Sequence, residues 1–250
     1  MGLIDVERHG RVTVVTLKYP PANAMNIALT EEIGSVFRDL GNDHSVRSIV
    51  LTGQGKSFCA GVDLKTVPSF GPADQRRMVH ALNRAFHAVY SCPVPVVGAI
   101  NGHAIAGGLV LALCCDWRIA ANTAFLTGLT EVRVGVPYPV SALEVTRQEL
   151  RPEIVRRMVL FGRNMTAQAG LEAGLFDEMV EPDALSERAM AAADEFSALP
   201  QAAFAASKRQ LRGKACEMME AAIACTEPLL KGWLSSETVE AAAAVLARGA

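Results

Sequence analysis

The chain has no cysteine pair at CxxC spacing, no apolar run long enough to span a bilayer, and no surplus of charge of either sign. Each absence removes a class of function. The six cysteines (Cys59, Cys92, Cys114, Cys115, Cys216 and Cys225) form no metal-ligand spacing with histidine. They read as small core residues in a reducing compartment, not as a metal site or a disulfide framework. The 24 Lys and Arg against 26 Asp and Glu give a net charge of -2, which leaves no footprint for nucleic acid or an anionic membrane. A small-molecule partner is expected. The longest apolar run, residues 104–115, falls short of the roughly 20 residues a membrane helix needs and contains two glycines, so it reads as a buried helix. The opening Met1-Gly2-Leu3-Ile4-Asp5-Val6 lacks the basic and apolar regions of a signal peptide, and Val6 stands where a myristoylation motif wants Ser or Thr. The expected location is the cytoplasm. The chain carries no GxSxG elbow of a serine hydrolase and no metal, nicotinamide or flavin motif, so no separate cofactor is expected.

What is present is a core-forming chain of 250 residues, 50% of them hydrophobic, enough for one substantial core. Residues 5–17 alternate around His9-Gly10 as a hairpin, with Val12, Val14 and Leu17 facing inward. Thr30-Glu31-Glu32-Ile33 resembles a helix start, and Ile33, Val36, Phe37 and Leu40 follow at the spacing of a buried stripe closed by Gly41-Asn42. Short β-branched runs at 48–52 and 94–100 predict strands, as do 117–120 and 176–180; helices are predicted over 72–90, 108–114 and 140–160. This alternation predicts an α/β fold. From Asp183 the pattern turns helical and alanine-rich over 184–198, 201–212 and 236–248. The division is therefore 1–182 as a core and 183–250 as a helical region, which lacks a core of its own and must pack on the first region or on another subunit.

Two stretches carry the chemistry. Ser57-Phe58-Cys59-Ala60-Gly61-Val62-Asp63-Leu64 and Asn101-Gly102-His103-Ala104-Ile105-Ala106-Gly107-Gly108 both follow a predicted buried strand and present small, glycine-flanked backbone. Isolated glycine pairs are usually tight turns. Two in order, with Gly107-Gly108 opening an apolar helix whose first N–H groups lack intrahelical partners, suit a pair of backbone donors for an oxyanion. Together the stretches resemble the crotonase family, also called the enoyl-CoA hydratase/isomerase superfamily, over most of the chain and most strongly over residues 22–137. The resemblance implies a spiral of repeated ββα units with a C-terminal helical region, assembled as a homotrimer or homohexamer. It implies an acyl-CoA thioester as partner, with coenzyme A entering as part of the substrate.

Motif position by motif position, the resemblance puts the oxyanion amides on Val62 and Gly107. It puts the substrate and CoA contacts on Asn23, Ala24, Ala60, Gly61, Val62, Asp63, Leu64, Lys65, Gly107 and Gly108. Asn23-Ala24-Met25-Asn26 looks like the family's adenine and pantetheine channel, although on its own it is a polar loop. Lys65 and Lys208 would meet CoA phosphates, against the ordinary reading of solvated surface lysines. Asp63 reads as a cap for a following helix. His80, His87 and His103 stay without an assigned role.

Glu131, within Thr127-Gly128-Leu129-Thr130-Glu131-Val132-Arg133, matches the family's second catalytic glutamate; the bland alternative is an exposed loop carboxylate paired with Arg133. Family hydratases carry another glutamate three residues after the oxyanion glycine, and here that residue is Val110. Water addition calls for one group to activate water and another to handle the α-proton, whereas moving a double bond can be done by one carboxylate. Residues 106–113 and 128–131 look more like Δ3,Δ2-enoyl-CoA isomerases than like crotonase itself. The leading expectation is 3-enoyl-CoA to 2-enoyl-CoA isomerisation; the alternatives are a 2-enoyl-CoA hydratase or related lyase, and a catalytically silent acyl-CoA binder. Glu144, the next acidic residue, reads as helix surface. The segment 66–90, placed by the resemblance at the pocket wall, has no pattern tied to one acyl chain.

Overall fold

Strands β1 (Ile4–His9) and β2 (Val12–Leu17) form an antiparallel hairpin that turns at Gly10, where φ is +63°. The computed structural model describes residues 2–225, 233 and 235–248. After helix α1 (Ile27–Asn42), the chain makes the same move repeatedly: a strand in a large sheet, a short strand in a small sheet, then a helix. The first unit is β3 (Ser48–Gly53), β4 (Ser57–Cys59) and α2 (Pro72–Tyr90); the second is β5 (Val96–Ile100), β6 (His103–Ile105) and α3 (Gly107–Leu113). A third begins with β7 (Trp117–Ala121) and β8 (Leu126–Gly128) and continues through a 3-10 turn, Glu131–Val134, into α4 (Val140–Glu149) and α5 (Pro152–Phe161). Then come β9 (Met165–Thr166), α6 (Ala167–Ala173) and β10 (Glu178–Val180), and the helices α7 (Leu185–Ser197), α8 (Gln201–Ala224) and α9 (Ser236–Arg248). The large sheet runs β1-β2-β3-β5-β7-β10 and the small one β4-β6-β8-β9, so this is the ββα spiral.

Period-two geometry lets one strand feed two cores. Leu51 of β3 and Val96 and Ile100 of β5 face a cluster with Phe37, Leu82 and Phe86 of the first two helices. Their neighbours Val50, Val97 and Ala99 face the other way, against Leu185, Ala189 and Ala193 of α7. Helix α7, the first of the alanine-rich tail, is thus the cover for the sheet's second face, packed on the same chain.

Several boundaries differ from the sequence reading. Helix α1 starts at Ile27, because the Asn26 side chain caps it by accepting from Leu29 N at 2.8 Å. The single helix expected over 140–160 is two, interrupted at Leu150 and Arg151 ahead of Pro152, where the ring is tolerated only in a first turn. Helix α8 runs past Arg212 to Ala224, since Gly213 lowers helix propensity without ending the helix. Cys225, read as a core residue, is exposed. Among the described residues no helix is long and apolar enough to cross a membrane.

Candidate active site

The two glycine stretches meet. A Cβ on Gly61, whose φ is +78°, would lie 2.6 Å from Ile105 O and 3.2 Å from Gly107 N, and one on Gly108 would lie 1.9 Å from Cys59 O. These glycines permit backbone to cross backbone, which a pair of simple turns would not require. On one side, Met25 N donates to Gly61 O at 2.7 Å and Asp63 N donates to Met25 O at 3.0 Å, a parallel bridge between Met25 and Val62. Because the bridge uses the flanking peptides, Val62's own N–H is turned away from Met25. On the other side, Ala106 sits at φ +52°, ψ −126°, a conformation costing a residue with a Cβ on the order of 1–3 kcal/mol. It is held there by its N–H donating to Gly128 O at 2.7 Å and its carbonyl accepting from Leu109 N and Val110 N. Gly107 then opens α3. Among the described residues neither Val62 N–H nor Gly107 N–H has an acceptor.

Both residues line a cavity of about 620 Å³ whose walls are mostly apolar, with Leu64, Leu82, Phe86, Val136 and Trp233 among them. Glu131 is the one carboxylate lining it among the described residues. It heads the Glu131–Val134 turn and is only 7% exposed. Burial pushes its carboxyl up to about 7, while the adjoining backbone of Glu131 and Thr130 and the Tyr138 hydroxyl pull the other way. Tyr138 is near enough to favour the charged form, yet no hydrogen bond of regular geometry joins the two, and both Glu131 Oε2 and the Tyr138 hydroxyl are buried without a partner. The turn is fixed from outside: Thr238 Oγ1 donates to Gly135 O at 2.9 Å and Trp233 Nε1 donates to Pro137 O at 3.2 Å. A buried, unpaired carboxylate titrating near neutrality can both take and return a proton.

Residues 7–245 match the enoyl-CoA hydratase/isomerase family. The chain belongs to that family. It is 30% identical over 218 residues to the short-chain-enoyl-CoA hydratase of Clostridium acetobutylicum, covering 86% of this chain and 83% of the relative. Among solved structures, a probable enoyl-CoA hydratase, EchA3, from Mycobacterium tuberculosis H37Rv superposes with a TM-score of 0.82 at 29% identity, covering 99% of this chain and 98% of the other. Human mitochondrial delta3-delta2-enoyl-CoA isomerase superposes with a TM-score of 0.91 at 24% identity, covering 98% and 97%, a likeness of fold.

Against the family pattern, the sequence-predicted residues divide. Ala60, Val62, Leu64 and Gly107 line the cavity with Glu131, and Gly61 and Gly108 make the backbone crossing behind it. The carboxylate of Asp63 accepts from Lys65 N at 2.9 Å and its carbonyl from Thr66 N and Val67 N, closing a turn before the 3-10 segment Val67–Ser69; the Lys65 side chain is exposed. Asn23 and half-buried Ala24 do not line the cavity. The Asn23 side chain is fully buried, donating to Ser57 O at 2.9 Å and accepting from Tyr19 N at 3.0 Å, so it pins the start of β4. Lys208 is a correction. It is neither solvated nor free to meet a phosphate: its ammonium is buried 2.7 Å from Asp116 Oδ2.

The family hydratases' second acid has no replacement at Val110, which is fully buried in the apolar core. Glu144 pairs with Arg147 at 3.0 Å on the surface of α4. No histidine lines the cavity: His103 Nδ1 accepts from Leu126 N at 3.1 Å, His87 lies beside Glu220, and His80 faces a separate cleft with Arg77 and Arg84. Helix α2 does wall the cavity, through Leu82 and Phe86. Sequence reasoning missed Tyr138, Trp233 and Arg163. Trp233 lies in the tail and Arg163 in the loop after α5, and nothing local ties either to Glu131. Tyr138, between two prolines seven residues after Glu131, was the one legible signal.

Proposed function

We propose that this family member shifts the double bond of a 3-enoyl-CoA thioester to the 2-position, with Glu131 as both base and acid. The thioester oxygen accepts hydrogen bonds from Val62 N–H and Gly107 N–H. The Glu131 carboxylate removes a proton from C2, and the C–H electron pair passes into the carbonyl to give a dienolate held by the two amides. When the carbonyl re-forms, the C2–C3 double bond is made, the C3–C4 double bond opens, and C4 takes the proton back from Glu131. Each oxyanion donor is worth ~10²–10³ in rate, and a positioned carboxylate ~10²–10⁴.

The observation that carries this reading is that Glu131, its carboxyl pushed up to about 7 by burial, is the one carboxylate lining the cavity among the described residues, while the position of the hydratases' other acid is the core residue Val110. A silent acyl-CoA binder would have no use for a carboxylate buried at such cost. Hydration of 2-enoyl-CoA is the second reading, favoured by relatives such as the Clostridium protein that carry the hydratase name. A turnover screen with 2-enoyl and 3-enoyl thioesters of matched chain length separates them. Isomerisation creates the conjugated thioester absorbance from the 3-enoyl ester; hydration destroys it in the 2-enoyl ester. Dominant hydration would remove the isomerase reading. A cytoplasmic homotrimer or homohexamer belongs to the same proposal, with sedimentation as its test.

A further inference from the structure

The proton shuttle leaves two cations of the cavity unused. Arg133 and Arg163 both line it, and among the described residues neither has a carboxylate within ion-pair distance. Both are exposed, so each keeps its charge free for a ligand, whereas the buried Arg118 is matched by Asp177 and Glu149 and the buried Arg212 by Asp116 and Glu149. Arg133 is also held in place. Its Nε donates to Gly162 O at 2.7 Å, and Gly162, at φ +59°, leaves the room: a Cβ there would lie 3.0 Å from Arg133 Cγ. With Nε engaged, the two terminal nitrogens have no partner among the described residues. Arg163 follows Gly162 directly, its guanidinium 5.9 Å from the Phe161 ring centroid, and Asn164 and Thr130 add neutral polar groups to the same cavity. Glu131, raised to about 7 by burial, does not neutralise two full positive charges.

We propose that the acyl group preferred by this site ends in a carboxylate, received by Arg133 and Arg163. The inference rests on the acyl-CoA reading above and specifies its substrate class. An apolar wall suits the methylenes between the thioester and a distal polar group, and a guanidinium fork matches carboxylate geometry with paired N–H donors. A plain alkyl chain would leave its methyl end against two hydrated cations, gaining nothing from them. An anionic phosphate of CoA offers the same chemistry from the other end of the ligand, so the test separates the two sources.

Calorimetric titration of the purified protein with adipoyl-CoA, hexanoyl-CoA and free CoA compares a carboxylate with a methyl at equal chain length. Adipoyl-CoA is expected to bind at least about tenfold more tightly than hexanoyl-CoA, the size of one charge-assisted contact. Arg133→Gln and Arg163→Gln, both at exposed positions and each checked for an unchanged thermal melt, are expected to erase that preference. Equal wild-type affinity for the two esters overturns the proposal. So does an equal loss of affinity for free CoA and both esters in the variants, which would make the arginines phosphate ligands. Because binding is read without turnover, a retained adipoyl preference beside no isomerisation of 3-hexenedioyl-CoA would remove the isomerase reading and leave this one standing. Absence of binding by every CoA ester would remove both.

Discussion

Glu131 shows what burial does to one residue. Its carboxyl titrates near 7 against an ordinary value of 4.5, so the folded chain holds that proton more tightly than the unfolded chain does. The stability this contributes is full below about pH 4.5, falls as the pH rises, and is gone above about pH 7. Glu131→Gln, which cannot ionise, should therefore unfold at higher denaturant than wild type at pH 8, by about 3 kcal/mol, with little difference at pH 4. The same change should lower isomerase kcat by ~10²–10⁴, and wild-type kcat/KM should climb with pH, half-maximal near pH 7 and levelling about one unit above it. A flat profile from pH 5 to 9 would take the titrating role away from Glu131. Glycines give a second contrast at this scale. Gly108→Ala drives a methyl to 1.9 Å from Cys59 O and should yield little folded protein, whereas Gly213→Ala, in open space within α8, should stabilise by about 0.5–1 kcal/mol in thermal melts. The motif positions of Gly61, Gly107, Gly108 and Glu131 were legible because the residue types stand at recognisable spacing, and for Gly61 and Gly108 the structure shows why no side chain fits. The burial of Glu131 was not, since its surrounding Thr130, Arg133 and Tyr138 look like a surface loop in one dimension.

Helix α3 is short, and its two ends are secured by different parts of the chain. The Ala106–Gly128 bond holds its start, and Arg212 of α8 holds its finish, donating to Cys114 O and Cys115 O at 3.3 Å while stacking 4.0 Å from the Tyr90 ring. Around that guanidinium, Asp116, Lys208 and Glu149 complete a buried ionic network in which Asp116 also accepts from Val96 N at 2.8 Å. Removing one partner strands buried charge, so Arg212→Met should cost about 3–5 kcal/mol in urea unfolding. A loss below 1 kcal/mol would mean that α8 is not fastened to α3 by this network. The bounds of α2 and α9 were readable from the sequence almost to the residue. The short strands β4, β6, β8 and β9, two or three residues each, carry no periodic signal, and they exist only because neighbouring turns of the spiral lie alongside.

Across the whole molecule, the last third of the chain closes what the first two thirds build. Helix α7 covers the back of the large sheet, α8 anchors α3, and α9 with Trp233 braces the turn that presents Glu131. Thr238→Val removes the bond to Gly135 O while keeping the side chain's shape. It should cost about 1 kcal/mol in overall stability and lower kcat/KM severalfold, because it loosens the turn bearing Glu131. An unchanged kcat/KM would separate α9 from the site. By itself the sequence determined the alternation of strands and helices, the two glycine stretches, the family resemblance and the one acidic candidate, because these depend on local periodicity and on recognisable residue types at motif positions. Only the tertiary structure decided that Lys208 is buried, that Asn23 pins β4, that Glu131 titrates near 7 and that two arginines share its cavity. Those are properties of dielectric and distance between residues remote in sequence, and they come into being when the spiral closes.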